Sequence, residues 1–311
     1  MGKLLGAVFL GWALGANDAA NVFGPAVSTR AVRYHVAVLI AATLVMMGAW
    51  LGGRRAMESV GALGAQTPHS AFLVTLSAAV GMTFLISFRL PASSSQAVVG
   101  AILGAALARG ADVDVPILVH LVRGWLLTAP VAAAVSLLFY GLMAAALRWR
   151  QPRGLVALDR IIRTALIAAG AWGAYALGAN NAANVTGVFA ASGLVSKTHG
   201  ALIAGGSIGL GILTFGHRMM YLVGRGLVRL QPGTALVAML AQAVTVHAFA
   251  VLGTPVSTSQ ALAGGAIGIG LAKGVRTING RALLNILLGW VATPLVGAVL
   301  SFVAVKVLGS H

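Results

Sequence analysis

The chain has 311 residues, of which 59% are hydrophobic and only 8% are charged, and this composition excludes a soluble globular protein. Its formal net charge of +16 comes from 21 lysines and arginines against five acids, a balance that in a soluble protein would indicate a nucleic-acid partner. Here the bases are dispersed among apolar segments, so we expect a lipid bilayer around the chain and no nucleic acid.

Small residues dominate the apolar segments. The chain has 41 glycines and an aromatic share of only 6%, which is typical of closely packed membrane helices. The alternating ten-residue strands of outer-membrane barrels are not seen. The absence of cysteine excludes disulfides and thiolate metal sites. We therefore predict an all-α, multi-pass helical bundle in the cell membrane.

The first predicted element is a span near residues 4–24 that carries polar side chains. Asn17 and Asn21 are four residues apart and Asp18 and Asn21 are three apart, so on a helix all three project from one side. We call these three residues the first motif. An ionisable residue inside a span is costly unless it is paired or hydrated, so Asp18 is a candidate for binding Na⁺ or a proton. The alternative is asparagines that only hydrogen-bond between helices.

Spans at 34–52 and 71–88 follow, and after them comes a polar, helix-breaking cluster. This first cluster consists of Ser93, Ser94, Ser95 and Gln96. The apolar segment behind it, 97–108, is far shorter than the roughly 20 residues of a span. Such a pattern predicts a re-entrant hairpin buried at membrane depth. Hydroxyl and amide donors at a helix start suit a desolvated oxyanion, while ordinary N-capping is the alternative.

A long apolar stretch, 115–147, completes the first half. It is either one helix broken near Gly124 or Pro130, or two spans. The stretch 148–163 follows as a basic connector, which is typical of a cytoplasmic loop. Its bases are Arg148, Arg150, Arg153, Arg160 and Arg163.

The second half of the chain repeats the first. Leu-Gly-Ala-Asn-Asp-Ala-Ala-Asn at 14–21 returns as Leu-Gly-Ala-Asn-Asn-Ala-Ala-Asn at 177–184, and three further blocks return in the same order at nearly the same offset. These blocks are 53–61 with 216–224, 91–97 with 255–261, and Gly124-Trp125 with Gly289-Trp290. The sequence therefore predicts a first repeat at 1–147 and a second at 164–311, joined by the connector.

The polar groups recur within this repeat. The second motif is Asn180, Asn181 and Asn184, and the second cluster is Ser257, Thr258, Ser259 and Gln260. Another half-length segment, 261–273, follows the second cluster. Two such hairpins in corresponding halves predict inverted repeats with a binding site at their interface. His247, just before the second cluster, is either a proton relay or a buried histidine with its hydrogen bonds satisfied.

The two motifs and the paired Pro-x-Ser-x-Ser-Gln clusters resemble the inorganic phosphate transporter (PiT) family, which also includes sulfate permeases. The resemblance extends over essentially the whole chain. It implies a helical bundle of two inverted repeats, each with a broken helix and a re-entrant hairpin. It also implies a homodimer that works as a cation-coupled symporter by alternating access.

The resemblance assigns roles to the two clusters and the two motifs. Phosphate would lie between the clusters, on Ser93, Ser94, Ser95, Gln96, Ser257, Thr258, Ser259 and Gln260. The coupling cation, Na⁺ or H⁺, would bind the motif residues Asn17, Asp18, Asn21, Asn180, Asn181 and Asn184, with Na⁺ nearest Asn17, Asp18, Asn180 and Asn181. No other cofactor is implied.

One residue departs from the family pattern. Family members usually carry Asp in both motifs, whereas the second motif here has Asn181. The choice between Na⁺ and H⁺ therefore stays open, as does the choice between phosphate and sulfate. An anion channel is the rival from another functional class. No nucleophile, nucleotide-binding or metal motif supports an enzyme.

Overall fold

All regular structure that we can describe is helical. The computed structural model describes residues 2–88, 90–150, 154–223, 230–274 and 279–308. Within these ranges a short 3-10 turn at Gly2–Leu4 precedes eleven α-helices. They are α1 Leu5–Ser28, α2 Tyr34–Gly52, α3 Arg54–Ala62, α4 Pro68–Ser87, α5 Ser94–Arg109, α6 Val115–Arg150, α7 Leu155–Ala191, α8 Lys197–Val223, α9 Pro232–Val251, α10 Thr258–Lys273 and α11 Gly280–Leu308. The predicted all-α class is confirmed.

Six helices in the described ranges are long and apolar enough to cross a bilayer. They are α2, α4, α6, α8, α9 and α11. The helices α1 and α7 carry the polar motifs and run through them without a break. The prediction of a multi-pass membrane protein is confirmed.

The helices α5 and α10 are shorter than a membrane span. Each has 16 residues, or about 24 Å at 1.5 Å per residue, against a hydrocarbon core of about 30 Å. They begin three residues before the apolar segments 97–108 and 261–273, so most of each polar cluster belongs to the first helical turn. The residue before each helix, Ser93 or Ser257, is the N-cap.

The closest packing joins helices of the two predicted halves. The helix α1 packs on α8 and α2 on α7, while α5 packs on α11 and α10 on α6. Glycine permits this close approach. A Cβ at Gly15 would overlap the carbonyl oxygen of Ile208, and a Cβ at Gly178, the matching residue of the repeat, would overlap that of Val45. The two contacts are reciprocal, since Ile208 is also the repeat match of Val45.

The break expected near Gly124 or Pro130 is absent, because α6 continues through both residues. Proline removes one helical hydrogen bond, but a neighbouring membrane helix can support the distorted backbone. The helix α10 packs closely against α6 at this point, since a Cβ at Gly264 would overlap the carbonyl oxygen of Ala129. The first half is broken instead between α2 and α3, whereas the matching stretch of the second half lies within α8.

Much of the predicted connector is helical. The helix α6 extends to Arg150 and α7 begins at Leu155. Arg163 forms an exposed ion pair with Asp159 at 2.6 Å. The connector residue Arg153 lies outside the described residues, as does the side chain of Arg150.

Candidate functional site

The first motif is one hydrogen-bonded group on α1. Asp18 Oδ1 accepts from Asn17 Nδ2 at 3.0 Å and from Asn21 Nδ2 at 3.1 Å. The helical spacing of the three residues produces this geometry, as the sequence predicts. Asp18 is only 2% exposed. The carboxylate therefore lies inside the protein with two amide donors on one oxygen.

The second cluster completes the surroundings of this carboxylate. Thr258, the first residue of α10, donates its hydroxyl to Asp18 Oδ2 at 3.1 Å. Its oxygen accepts from Asn21 Nδ2 at 3.3 Å. The first motif is thus hydrogen-bonded to the short helix α10, which lies in the second half of the chain.

The second motif makes the reciprocal contact. Ser94, the first residue of α5, donates to Asn181 Oδ1 at 2.9 Å. The same oxygen accepts from Asn184 Nδ2 at 2.8 Å, and Asn184 Nδ2 also lies 3.0 Å from Ser95 Oγ. Asn181 donates in turn to Leu177 O at 3.1 Å. The two motifs therefore use matching partners, but only the first contains a carboxylate.

Asn180 contacts the backbone just before the second cluster. Its Nδ2 donates to Val256 O and its Oδ1 accepts from Val256 N, both at 2.8 Å. Ser95 Oγ donates to the same carbonyl at 3.1 Å. The starts of α5 and α10 thus meet directly. Both ends of the Asn180 amide are thus engaged, with one hydrogen bond accepted by Oδ1.

Among the described residues, no basic side chain pairs with Asp18. In the described part of the chain, the ion pairs are Arg163–Asp159 and Lys197–Glu58, and both are exposed. Burying a carboxylate without a counter-charge costs several kcal/mol even when it is hydrogen-bonded. The geometry therefore favours a bound cation or a proton at Asp18.

Three buried oxygens near the meeting point have no hydrogen-bond donor. They are Gln96 Oε1, Gln260 Oε1 and Asn184 Oδ1. An unsatisfied buried acceptor is expensive, so such atoms indicate a missing donor or cation. Oxygen ligands of this kind suit Na⁺, and they equally suit a protonated oxyanion.

The capping alternative for the clusters holds for two hydroxyls. Ser93 Oγ accepts from Gln96 N at 3.4 Å, and Ser257 Oγ accepts from Gln260 N at 3.3 Å. Ser257 Oγ also lies 2.9 Å from Ser259 Oγ, the least buried of the eight predicted substrate contacts. The structure thus gathers all eight residues at the starts of α5 and α10.

Sequence reasoning missed two polar residues on α9. Gln242 and Thr245 are fully buried, and Gln242 Nε2, Gln242 Oε1 and Thr245 Oγ1 lack hydrogen-bond partners. The sequence could have revealed them, because both residues interrupt an apolar run and lie one helical turn apart. The nearby His247 accepts from Trp172 Nε1 at 2.7 Å, which fits a histidine with a satisfied ring nitrogen.

Comparison with known proteins identifies the family. The model of the phosphate transporter family, PHO4, matches residues 14–157 and 151–301. A protein named as a candidate phosphate permease of Methanocaldococcus jannaschii is 25% identical over 301 residues, covering 97% of this chain and 95% of that protein. The sulfate permease CysP of Bacillus subtilis is 26% identical over 316 residues, covering 98% and 87%.

A solved structure shares the fold. This chain is similar to a structure described as the sodium-dependent phosphate transporter, with a TM-score of 0.82, 21% identity and coverage of 99% of this chain and 100% of that one. The resemblance seen in the motifs and clusters is confirmed. The chain belongs to the phosphate transporter family and is a membrane transporter rather than an enzyme.

Proposed function

We propose that this protein moves inorganic phosphate across the membrane by cation-coupled symport with alternating access. The observation that carries the proposal is the buried Asp18 carboxylate, which three side chains of α1 and α10 hold without a basic partner among the described residues. A carboxylate repels an oxyanion unless a cation lies between them. Coupling follows, because cation and anion then bind better together than apart.

The two clusters supply the substrate site in this proposal. Hydroxyls, amides and the backbone N–H groups at the starts of α5 and α10 are neutral donors, and both helix N-termini favour negative charge. Neutral donors suit a carrier better than a fixed lysine or arginine, since the anion must also be released. Each hydrogen bond to a charged group contributes about 1.5–3 kcal/mol.

The unpartnered oxygens support phosphate over sulfate. H₂PO₄⁻ and HPO₄²⁻ can donate a hydrogen bond, whereas sulfate only accepts. Gln96 Oε1, Gln260 Oε1 and Asn184 Oδ1 are buried acceptors that a protonated phosphate would satisfy.

Sulfate is the second candidate substrate. The neutral second motif, with Asn181 in place of an aspartate, offers no carboxylate to accept a proton from phosphate. A sulfate permease of Bacillus subtilis is also among the similar proteins. Tighter binding of sulfate than of phosphate would reverse our ranking.

Na⁺ is the coupling ion that we favour over H⁺. Asp18 and the oxygens of Asn17 and Asn21 are hard ligands, as Na⁺ requires. The sodium-dependent transporter of the same fold points the same way. Proton coupling through Asp18 alone is the competing form, and it predicts uptake driven by a pH gradient without Na⁺.

Alternating access follows from inverted repeats at 1–147 and 164–311, with the stretch 148–163 between them. The reciprocal packing of α1 on α8 and α2 on α7 supports this proposal. The short helices α5 and α10 also support it, since they would form re-entrant hairpins with α4 and α9. The expected homodimer remains a prediction, and the mass of the detergent-solubilised protein tests it.

Uptake into proteoliposomes tests the function. We expect labelled phosphate to accumulate above its equilibrium level when a Na⁺ gradient is imposed, and unlabelled phosphate to compete better than sulfate. Uptake that only follows the anion's own electrochemical gradient would indicate a channel. Uptake driven by protons alone would reassign the cation, and no movement of either anion would refute the oxyanion assignment.

A further inference from the structure

Two chain breaks precede the short helices α5 and α10, and they differ in the side-chain contacts that hold them. The second break, residues 252–257, is contacted by side chains from three helices, and a fourth helix contacts the residue before it. Trp125 Nε1 of α6 donates to Pro255 O at 3.2 Å, and Asn180 of α7 pairs with both backbone groups of Val256. The other contacts are His120 Nε2 with Thr254 Oγ1 at 2.6 Å, Ser95 Oγ with Val256 O at 3.1 Å, and Arg55 Nη1 with Val251 O at 3.1 Å at the end of α9.

The first break lies between α4 and α5, where residues 88 and 90–93 are described, and its matching tryptophan is not engaged. Trp290 is the repeat match of Trp125. Its Nε1 is buried and has no hydrogen-bond partner. Pro91 O nevertheless lies close by, since a Cβ on the adjacent Gly289 would overlap it. A buried indole N–H thus has no partner on α11, the helix whose neighbouring Gly289 lies against Pro91 O, the carbonyl that corresponds to the one Trp125 binds.

The matching asparagine is also turned away from the first break. Asn17, the repeat match of Asn180, donates to Asp18 Oδ1 at 3.0 Å. In the described residues, the side-chain contact to the first break's backbone is Thr293 Oγ1, which accepts from Ser93 N at 3.4 Å. Trp125 and Asn180, which hold the second break, therefore have repeat matches that lack a partner or bind elsewhere.

We propose that Trp125 with Asn180, and Trp290 with Asn17, are two latches that hold the two breaks alternately. The structure has the second latch closed and the first open. In the opposite-facing state, Trp290 donates to Pro91 O and Asn17 pairs with the backbone of Ala92, while Trp125 and Asn180 release the second break. The inference rests on the proposed alternating access. It explains why a buried indole N–H without a partner, which is costly in one state, is tolerated.

The exchange also involves the carboxylate. When Asn17 turns to the first break, Asp18 Oδ1 keeps Asn21 as a donor but loses Asn17. A carboxylate with fewer donors has a greater need for a cation. Closing the first latch is therefore linked to occupation of the cation site, so these four residues are positioning residues for transport rather than substrate ligands.

Single-cysteine labelling tests the latches, because the chain has no native cysteine. Ala92→Cys and Val256→Cys place a thiol in each break, at positions that are buried in this structure. Each reporter is combined with Trp125→Phe or Trp290→Phe, which remove the N–H and keep an aromatic ring. The labelling rate with a water-soluble maleimide is measured in permeabilised proteoliposomes without substrate, so that both faces are accessible.

The two tryptophan variants should move the reporters in opposite directions. Trp125→Phe should raise the rate at Cys-substituted position 256 relative to position 92 by roughly three- to tenfold, the fold-change that one neutral hydrogen bond is worth. Trp290→Phe should lower the same ratio by a similar factor. A purely structural role would loosen both breaks together, and equal shifts or no response to Trp290→Phe would overturn the proposal.

A second measurement guards against reporters that fold poorly. Hydrogen exchange of peptides covering the two breaks, in the tryptophan variants without added cysteine, should show the same opposite shifts. Neither readout requires phosphate. Opposite shifts without phosphate uptake would therefore refute the substrate and keep the latches, while uptake without opposite shifts would refute the latches alone.

Discussion

The two motifs use the same contacts with different charge. Asp18 accepts from Thr258 at the start of α10, and its counterpart Asn181 accepts from Ser94 at the start of α5. The second motif closes on itself as a neutral network, in which Asn181 also donates to Leu177 O. The first motif contains a buried carboxyl group, and side-chain hydrogen bonds would not neutralise its charge when it is ionised. One geometry thus joins a hydroxyl to an amide in one half and a hydroxyl to a carboxyl group in the other.

This difference suggests a division of labour within the proposed repeat. Replacing one carboxylate by an amide preserves shape and hydrogen bonding while removing one charge from the core. The expected number of coupled cations falls accordingly, because each buried carboxylate needs its own counter-charge.

Asp18→Asn makes the first motif like the second, and it should have the largest effect. We expect coupled phosphate uptake to fall by roughly 100-fold, because interactions of a charged group contribute about 1.5–3 kcal/mol each and 1.4 kcal/mol is a factor of ten. Initial uptake rates in proteoliposomes measure the effect. An unchanged cation dependence would remove Asp18 from the mechanism.

Gly15→Ala and Gly178→Ala test whether the reciprocal packing is equally tight in both halves. Each added Cβ would overlap a backbone carbonyl oxygen, of Ile208 or Val45. We expect each to lower the free energy of unfolding by about 1–3 kcal/mol, the usual cost of overpacking. Thermal unfolding in detergent provides the measurement.

Gly206→Ala is the matched control for these variants. It lies on α8 with no atom within 4 Å of an added Cβ. Because alanine favours helix over glycine by up to about 1 kcal/mol, this change should be neutral or stabilising. A loss equal to that of Gly15→Ala would show that the close contacts are not the cause.

Thr258→Val and Ser94→Ala remove equivalent hydroxyls from the two joints. Thr258 donates to a carboxylate and Ser94 to an amide oxygen. The hydrogen-bond free energy that is lost should therefore be about 1.5–3 kcal/mol in Thr258→Val and about 0.5–1.5 kcal/mol in Ser94→Ala. Cation affinity, read from the Na⁺ concentration that half-saturates uptake, should weaken mainly in Thr258→Val. Equal weakening of Na⁺ affinity in both variants would contradict a difference in charge between the two motifs.

Glu58→Gln should have the smallest effect, since its carboxylate is exposed outside the membrane-spanning helices. Lys197 donates to Glu58 Oε1 at 2.6 Å, and this hydrogen bond together with the lysine charge lowers the pKa of Glu58. The stabilisation is thus present at neutral pH and is lost as the pH falls through that lowered pKa. We expect a change within about 1 kcal/mol in unfolding, as for other surface ion pairs. A larger loss would show that this pair contributes more than an exposed ion pair does.

Local features of this fold could be predicted from sequence. The one-sided spacing of Asn17, Asp18 and Asn21 and the short segment after Ser93 depend on helical geometry alone, and both are present in the structure. The pairing of Thr258 with Asp18 could not be predicted, because it depends on how distant helices pack. The continuity of α6 through Pro130 was also missed, and the close packing of α10 beside it involves residues distant in sequence.

Buried polar groups were the hardest residues to interpret. Gln242 and Thr245 are visible as interruptions of an apolar run, but their matching residues, Ala78 and Gly81, are not polar, so the repeat gave them no emphasis. Only the structure shows that the indole N–H of Trp290 lacks a partner, because Trp290 and Trp125 occupy equivalent positions in the sequence repeat. Repetition thus reveals what the halves share, and only the structure reveals where they differ.

The most direct test is the equilibrium linkage between cation and phosphate binding. The dissociation constant for phosphate is measured at several Na⁺ concentrations, and separately at several pH values. The measurement is made on the native protein, Asp18→Asn and Asn181→Asp. If Asp18 holds the coupling cation, rising Na⁺ should tighten phosphate binding in the native protein, have no effect in Asp18→Asn, and act more steeply in Asn181→Asp. An equal Na⁺ dependence in the native protein and Asp18→Asn would contradict it.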